Sequence, residues 1–361
     1  MTGSTAETIL TAAVSFPRVA FVYPNSRREL VADVARGEAP DSTLLGQNHL
    51  AELGIEATIH EPLLTRSPHS GIAHRLTWNL RELTLPWELR NVDVAFTPLA
   101  NLVPLVARAR RGLRVVVVNY GLCMIYERSS RARRRLLAES LRSAATIVCL
   151  GESQREQLLD QTGLDPARVH TALLGIDDRF FLPRTPPVQG EPYVLTVGKD
   201  LSRDFRTFVK AVRGLGVRAE LAVYPRNLEG IELPPNARAR VVGPAALRDL
   251  YAGAACVVVP QRRPEYPYGS EGGGLTSLLE SMAMARPTVI SDRPILRDYV
   301  RDGETAVIVP PEDPAALAAA IERVLADPGT LGPAARSRVE QELTTRHLAE
   351  RLAPICREAV R

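Results

Sequence analysis

The chain has 361 residues, 45% of them hydrophobic and 24% charged, with 45 basic side chains against 41 acidic ones and a net charge of +4. At about 100–200 residues per domain this gives two or three domains with ample core, which excludes a dominantly disordered chain. The longest apolar runs, such as Val115–Val118 and 254–260, fall far short of the ~20 residues that span a bilayer.

Residues 1–17 carry no basic start and no continuous apolar stretch, so no secretory leader is legible. A cytoplasmic setting is the expectation. Strands are predicted at 18–23 (RVAFVY), 55–59, 92–96, 113–119 (LRVVVVN) and 145–149. They lack polar alternation, as parallel strands covered on both faces do. Between them, helical patterns are predicted from Ser42, a capping hydroxyl, to Leu53 with Gly54 as stop, and at 99–110, 129–143 and 152–162. Leu76, Trp78, Leu80, Leu83, Leu85 and Trp87 recur at helical spacing and are expected in the core rather than on an acceptor platform.

Residues 182–192 (LPRTPPVQGEP) carry four prolines and no periodicity, which reads as a linker. The alternation then restarts. Strands are predicted at 193–197, 218–223, 239–242, 255–259, 287–290 and 305–309, and helices at 204–214, 245–253, 276–285, 295–301, 314–326, 332–343 and 345–360. This βα alternation predicts an α/β protein of two Rossmann-like, doubly wound parallel-sheet domains facing a cleft. The expected division is 1–182, a linker at 183–192, 193–343, and a C-terminal helix at 344–361 that packs back on the first domain.

Cys123, Cys149, Cys256 and Cys356 are far apart, so no zinc or CxxC spacing exists, and three lie in apolar runs that suggest buried thiols. The six histidines are scattered without HExxH. There is no GxxxxGK[ST], no GxSxG and no D-x-D pair placed for a metal diphosphate. Gly214-Leu215-Gly216 follows a helix, so it is no dinucleotide fingerprint. The mild positive charge does not indicate a nucleic-acid partner.

Two segments can carry chemistry. In 195–207 (LTVGKDLSRDFRT) a strand ends at Val197, Gly198 turns, and a helix starts near Arg203, which places Lys199 and Arg203 at the carboxyl edge of the sheet. The chain has only two lysines, Lys199 and Lys210. Two cations at that edge suit a diphosphate, although the same pattern describes an ordinary charged loop. In 270–290, three glycines precede a helix whose free N–H groups and dipole favour phosphate, with Glu280 a turn or so inside it. Glu280 suits ribose hydroxyls and Glu271 a sugar ring, while the plain alternative is a surface loop before a packing helix. The basic run 128–135 (RSSRARRR) reads as a solvated helix face or, more sharply, as an anionic lipid contact.

Together these segments resemble the retaining GT-B glycosyltransferases of family 4. The resemblance is carried by VGKDLSRDFRTFVKAV, by LRDLYAGAACVVVP, by the long run from GGGLTSLLESMAMARPTVIS to PPEDPAALAAAI, and by TIVCLGES…LLGIDDRFFLP. It implies a nucleotide-sugar donor held in the second domain, a hydroxyl-bearing acceptor in the first, and no metal or other cofactor. By that resemblance Lys199 and Arg203 match the two basic phosphate ligands. Glu280 matches the second glutamate of the E-x7-E motif, whose first falls on Gly272. Glu271, one residue away, is the candidate for that role. Gly198, Gly273, Gly274, Leu275 and Thr276 match backbone contacts to the donor diphosphate and hexose, and Val242 lies in the base-binding region. Asn119 and Tyr120 replace a His-Asp pair on the acceptor side, so acceptor choice is not inherited. In such enzymes the leaving phosphate takes the acceptor's proton on the same face, and no side-chain nucleophile is evident here. A nucleotide-sugar 2-epimerase and a non-catalytic sugar-nucleotide-binding subunit are the competing readings, with a peripheral-membrane transferase as a sub-case.

Overall fold

A computed structural model describes residues 16–61, 72–184 and 190–361, and the side chains of 72–79 are outside the described set. Residues 185–189 of the proline-rich linker, and the side chains of Leu76 and Trp78, therefore lie outside the described residues.

The first sheet is built from β1 (Arg18–Val22), β2 (Glu56–His60), β3 (Val94–Thr97), β4 (Arg114–Val118), β5 (Thr146–Cys149) and β6 (Val169–Thr171), all parallel, in the order β2-β1-β3-β4-β5-β6. Its helices are α1 (Arg28–Ala35), α2 (Ile72–Glu88), α3 (Val103–Ala107), α4 (Leu122–Arg128), α5 (Arg131–Ser143) and α6 (Glu152–Thr162). The second sheet holds β7 (Tyr193–Gly198), β8 (Arg218–Val223), β9 (Ala237–Arg240), β10 (Cys256–Val259), β11 (Thr288–Ser291) and β12 (Val307–Val309), in the order β12-β11-β10-β7-β8-β9. Around it lie α7 (Phe205–Arg213), α8 (Pro244–Gly253), α9 (Leu275–Ala283), α10 (Pro314–Ala326), α11 (Leu331–Glu342) and α12 (Thr345–Val360). Strands β3, β5, β10 and β11 are buried at every position, as helix-covered parallel strands must be. In the second sheet the winding reverses at β7, between β10 and β8. That topological switch point opens a crevice at the strand's carboxyl end.

Several elements differ from the sequence pattern. The stretch 42–53 is not one helix but three 3-10 turns, interrupted by left-handed Leu45, Gly46 and Gly54. Gly46 is required there, because a Cβ would lie 2.9 Å from the Thr345 carbonyl of α12. Tertiary packing thus overrides the local helical period. The helix predicted over 129–143 forms from Arg131 as α5, capped by Ser130, while α4 over 122–128 is a separate helix ahead of it that ends at extended Ser129. The segment near 99–110 condenses to five residues. The segment 295–301 is a 3-10 turn, Pro294–Asp298. Short β6 and α1 carried too little periodicity to be read. Leu85 is fully buried, but Leu80, Leu83 and Trp87 are exposed, so that face of α2 is not core. All four cysteines are free and buried.

Two stretches connect the sheets side by side. Ile176 N–H donates to the Leu343 carbonyl (2.8 Å), and Thr345 N–H returns to the Ile176 carbonyl (3.0 Å). From this crossing α12 runs back across β3 and β4 of the first domain. Asp41 ties the turn segment to the same place, accepting from Asn48 (2.8 Å), His49 (3.1 Å) and Thr345 (3.2 Å). One continuous apolar cluster spans both halves, from Phe21 and Phe96 through Phe181 and Leu348 to Tyr251 and Leu279. Buried Tyr299 of the second domain links Leu174 N–H (2.8 Å) and the Leu150 carbonyl (2.5 Å) of the first.

The crossing tolerates no side chain at Gly175, where a Cβ would lie 2.3 Å from the Thr344 carbonyl. Gly175→Ala should therefore cost about 1–3 kcal/mol, an overpacking penalty, measured as a lowered denaturation midpoint. An unchanged midpoint would show that the crossing has slack.

Candidate functional site

A cavity of about 540 Å³ opens between the two sheets at the carboxyl ends of β7 and β8. Its floor is set by how the segment after β7 is pinned. Asp200 accepts from Ser202 N–H (2.8 Å) and from its hydroxyl (2.5 Å). Asp204 caps α7 by accepting from Thr207 N–H (3.1 Å), and its own N–H bonds the Pro260 carbonyl (3.0 Å). Arg203 is held between these two anchors, only 4% exposed.

One guanidinium nitrogen of Arg203, Nη2, donates to the Val197 carbonyl. The other two, Nε and Nη1, are buried without a partner. Among the described residues no carboxylate lies within ion-pair distance of this side chain. Burial pulls its pKa down to about 10, against the fields of Tyr251, Asp200 and Glu280, so it stays cationic at neutral pH. A buried cation with two unused donors is costly unless an anion meets it. Two glycines make the slot for it. A Cβ at Gly198 would lie 2.4 Å from Arg203 Nε, and one at Gly274 would lie 2.9 Å from Nη1 and 1.9 Å from Gln261 Nε2.

Helix α9 begins at the same place. Gly274, left-handed at φ 87°, is its N-cap residue, and no side chain caps this end. The amides of Thr276 and Ser277, in the first turn, have no intrahelical acceptor to use, so they and the helix dipole face the cavity beside Arg203. The glycine turn is held from below. Gln261, fully buried, donates to the Gly273 carbonyl (2.6 Å) and receives the Ser202 hydroxyl (3.2 Å). Neither Gln261 nor Ser202 carried a sequence signal, because each acts through a turn distant in the chain. Leu275 is fully committed to the core, so only its backbone belongs to the turn.

Glu280 lies on α9, 8% exposed, on the cavity wall. Burial raises its pKa to about 7, although a hydrogen bond from the Tyr251 hydroxyl (2.8 Å) and the charges of Arg203 and Lys199 favour the carboxylate. Lys199 is exposed on the rim. Val242 lines the far end of the cavity just after β9, which ends at Arg240, with Tyr224 nearby.

Glu271 is placed elsewhere. Its carboxylate crosses to the first domain, accepting from Cys123 N–H (3.2 Å) at the start of α4 and from Gln154 Nε2 (3.1 Å), and it does not line the main cavity. Arg128 makes a parallel bridge, donating to the Tyr266 carbonyl (2.6 Å). The loop 262–271 is thus strapped onto α4. Within the basic run, Arg128 serves that strap and Arg134 donates to the Tyr126 carbonyl (2.9 Å), while Arg131, Arg133 and Arg135 are solvent-facing. Asn119 is fully buried, and its side-chain oxygen accepts from Gly121 and Leu122 N–H at 3.0 and 2.7 Å. Its side chain therefore builds the α4 turn, whereas Tyr120, 43% exposed, faces the cavity.

Residues 191–327 match the family of glycosyl transferases group 1. That match covers β7 to β12 and the crevice beside them, so the likeness falls on the half of the chain that holds Arg203 and the glycine turn. The whole chain has the GT-B fold. It superimposes with a TM-score of 0.71 on sucrose-phosphate synthase from Thermosynechococcus elongatus, at 18% identity over 95% of this chain and 98% of that one. It superimposes with a TM-score of 0.68 on Anabaena HepE, solved in complex with UDP and glucose, at 14% identity over 93% and 98% of the two chains. Alpha-maltose-1-phosphate synthase of Mycolicibacterium smegmatis is 27% identical over 251 residues, 61% of this chain and 64% of the relative. The match therefore spans somewhat less than two thirds of that curated relative.

The Glu280 arrangement has a signed consequence. A carboxyl whose folded pKa is about 7, against 4.5 unfolded, binds more protons when folded between those values, so stability falls as pH rises through that window. Over the whole shift the loss is about 3 kcal/mol. Glu280→Gln removes it. The variant's melting temperature relative to wild type should rise from pH 5 to pH 8, as read by calorimetry; a constant difference would place the Glu280 titration outside this range.

Proposed function

We propose that the chain is a metal-independent retaining glycosyltransferase that moves a sugar from a nucleotide-sugar donor to a hydroxyl acceptor. The observation that carries this reading is the buried Arg203 guanidinium, with two unused donors, aimed beside the uncapped start of α9 at the switch point of the second sheet. A diphosphate supplies what that site lacks: it is anionic, takes several hydrogen bonds, and suits a helix N-terminus. With Lys199 on the rim, the protein's own charges neutralise the departing diphosphate, and the reaction is metal-independent for that reason. The match to glycosyl transferases group 1 over residues 191–327 supports the same reading.

The donor would lie with its base toward Val242, its ribose at Glu280, and its diphosphate across Gly273, Gly274 and Thr276. The bond from the anomeric carbon to the phosphate oxygen breaks as the bond to the acceptor oxygen forms on the same face. The acceptor's proton passes to the departing phosphate oxygen. Lys199 and Arg203 stabilise charge that grows on that oxygen in the transition state. Glu271, held by the first domain, acts by positioning the glycine turn rather than by touching the sugar.

Nucleotide-sugars carrying UDP, GDP, dTDP and ADP can be screened by thermal shift, since a ligand at a hundred times its dissociation constant stabilises by ~2.7 kcal/mol. With the best donor, Lys199→Ala should slow sugar release by roughly 100-fold while leaving the melting temperature unchanged. Unchanged turnover in that variant would remove Lys199 from the chemistry, and an isomerised nucleotide-sugar as product would indicate an epimerase instead.

A further inference from the structure

The two walls of the cleft have different chemistry. The second-domain wall presents Lys199, Asp200, Arg203 and Glu280. That wall is otherwise largely apolar, with Val197, Val223, Val242 and Leu247; the facing wall is formed by Leu30, Pro40, Thr43, Tyr120, Gln154 and Phe181, with Asn119 and a few apolar neighbours, so the two walls differ in where the charges stand. Among the described residues, Tyr120 is the only titratable side chain on that wall, and a phenol is neutral at physiological pH. The polar groups that remain are a hydroxyl, a phenol and amides. Those suit orientation of a neutral molecule, not neutralisation of a charge.

Helix α1 extends this wall to the mouth of the cleft. Its sequence, RELVADVA, sets Leu30, Val31 and Val34 on one face and Arg28, Glu29 and Asp33 on others. No residue of α1 is buried. Leu30 and Val34 are only half-buried and Val31 is exposed, so this eight-residue helix has little of the packing that normally stabilises so short a helix. Leu30 from this helix lines the cavity, so its apolar face is continuous with the acceptor-side wall.

We infer that the acceptor is a neutral, largely apolar alcohol or phenol, seated on Leu30, Pro40 and Tyr120. This rests on the donor-transfer reading above and adds the acceptor class to it. Against the described lining of this wall a sugar phosphate or a protonated amino sugar would lose its hydration and find no ion-pair partner, Arg27 acting on Tyr120 only from outside that lining. That acceptor class differs from the sugar phosphate in the name of the relative alpha-maltose-1-phosphate synthase, which aligns with 251 residues of this chain.

The test separates the two readings. Failure of every nucleotide-sugar to shift the melting temperature removes donor binding, and this inference with it. Where a donor binds, it is supplied with a radiolabelled sugar to equal concentrations of 4-methylumbelliferone, n-octanol, glucose 1-phosphate and glucosamine. The expected result is label on the neutral pair, with kcat/KM roughly 100-fold or more above the charged pair, as a site without a charge partner rejects ions. Preferential transfer to either charged compound overturns the inference, as does hydrolysis of the donor with transfer to none. Leu30→Glu, on a helix with no buried residue and so compatible with folding, should raise the acceptor KM roughly tenfold and leave the nucleotide dissociation constant unchanged, because it desolvates a charge against the acceptor alone. An unchanged acceptor KM in that variant also overturns it.

Discussion

A guanidinium with two unsatisfied donors, buried at the turn of a parallel sheet, is the constraint on which the second domain is arranged. Folding alone would not favour it, because two buried donors without acceptors carry an uncompensated desolvation cost. The structure nevertheless invests in it. Asp200 and Asp204 fix the backbone on either side, Gly198 and Gly274 leave the only space in which the group fits, and Gln261 with Ser202 hold the glycine turn against it. Such strain at a site is explicable when a ligand supplies the missing partner.

The first domain contributes placement. Its connection to the second is doubled at Ile176 and Thr345 and reinforced by Tyr299, so the cleft faces are set by hydrogen bonds and by a shared core rather than by a loose tether. On the opposite rim the Glu271 and Arg128 bridges strap the 262–271 loop onto α4. That loop leads directly into the glycine turn, so the first domain's grip on Glu271 reaches the start of α9 and the proposed diphosphate site through a few residues of backbone. The cleft is then asymmetric in charge: among its described lining residues, Lys199, Asp200, Arg203 and Glu280 all stand on the second-domain side.

Much of this is legible in the amino-acid sequence. Central strands such as β4 (RVVVV) and β10 (CVVV) are continuous apolar runs that announce themselves, whereas edge strands such as β2 (EATIH) and β9 (ARAR) are legible mainly from the βα alternation around them. Arg203, Gly198, Gly274 and Glu280 were legible because their neighbours, a strand end and a helix start, lie beside them in the chain. What was not legible depended on distant contacts. The helix predicted over 42–53 gives way because α12, some 300 residues on, packs against Gly46. Glu271 reads from sequence as a donor-site acid, yet its partners Cys123 and Gln154 lie in the other domain. Asn119 has the composition of a ligand and the geometry of a turn builder. Gln261 looks like any residue after a strand and is the support of the glycine turn.

The most direct measurement is calorimetric binding of UDP, GDP, dTDP and ADP, each paired with its nucleoside, to the wild type and to Arg203→Ala. If the unused donors of Arg203 exist to meet a diphosphate, one nucleoside diphosphate binds roughly 100-fold or more tighter than its nucleoside, the worth of a few charge-assisted hydrogen bonds, and the variant loses most of that difference. Equal affinity for nucleotide and nucleoside in the wild type, or a difference that survives in Arg203→Ala, would contradict the account.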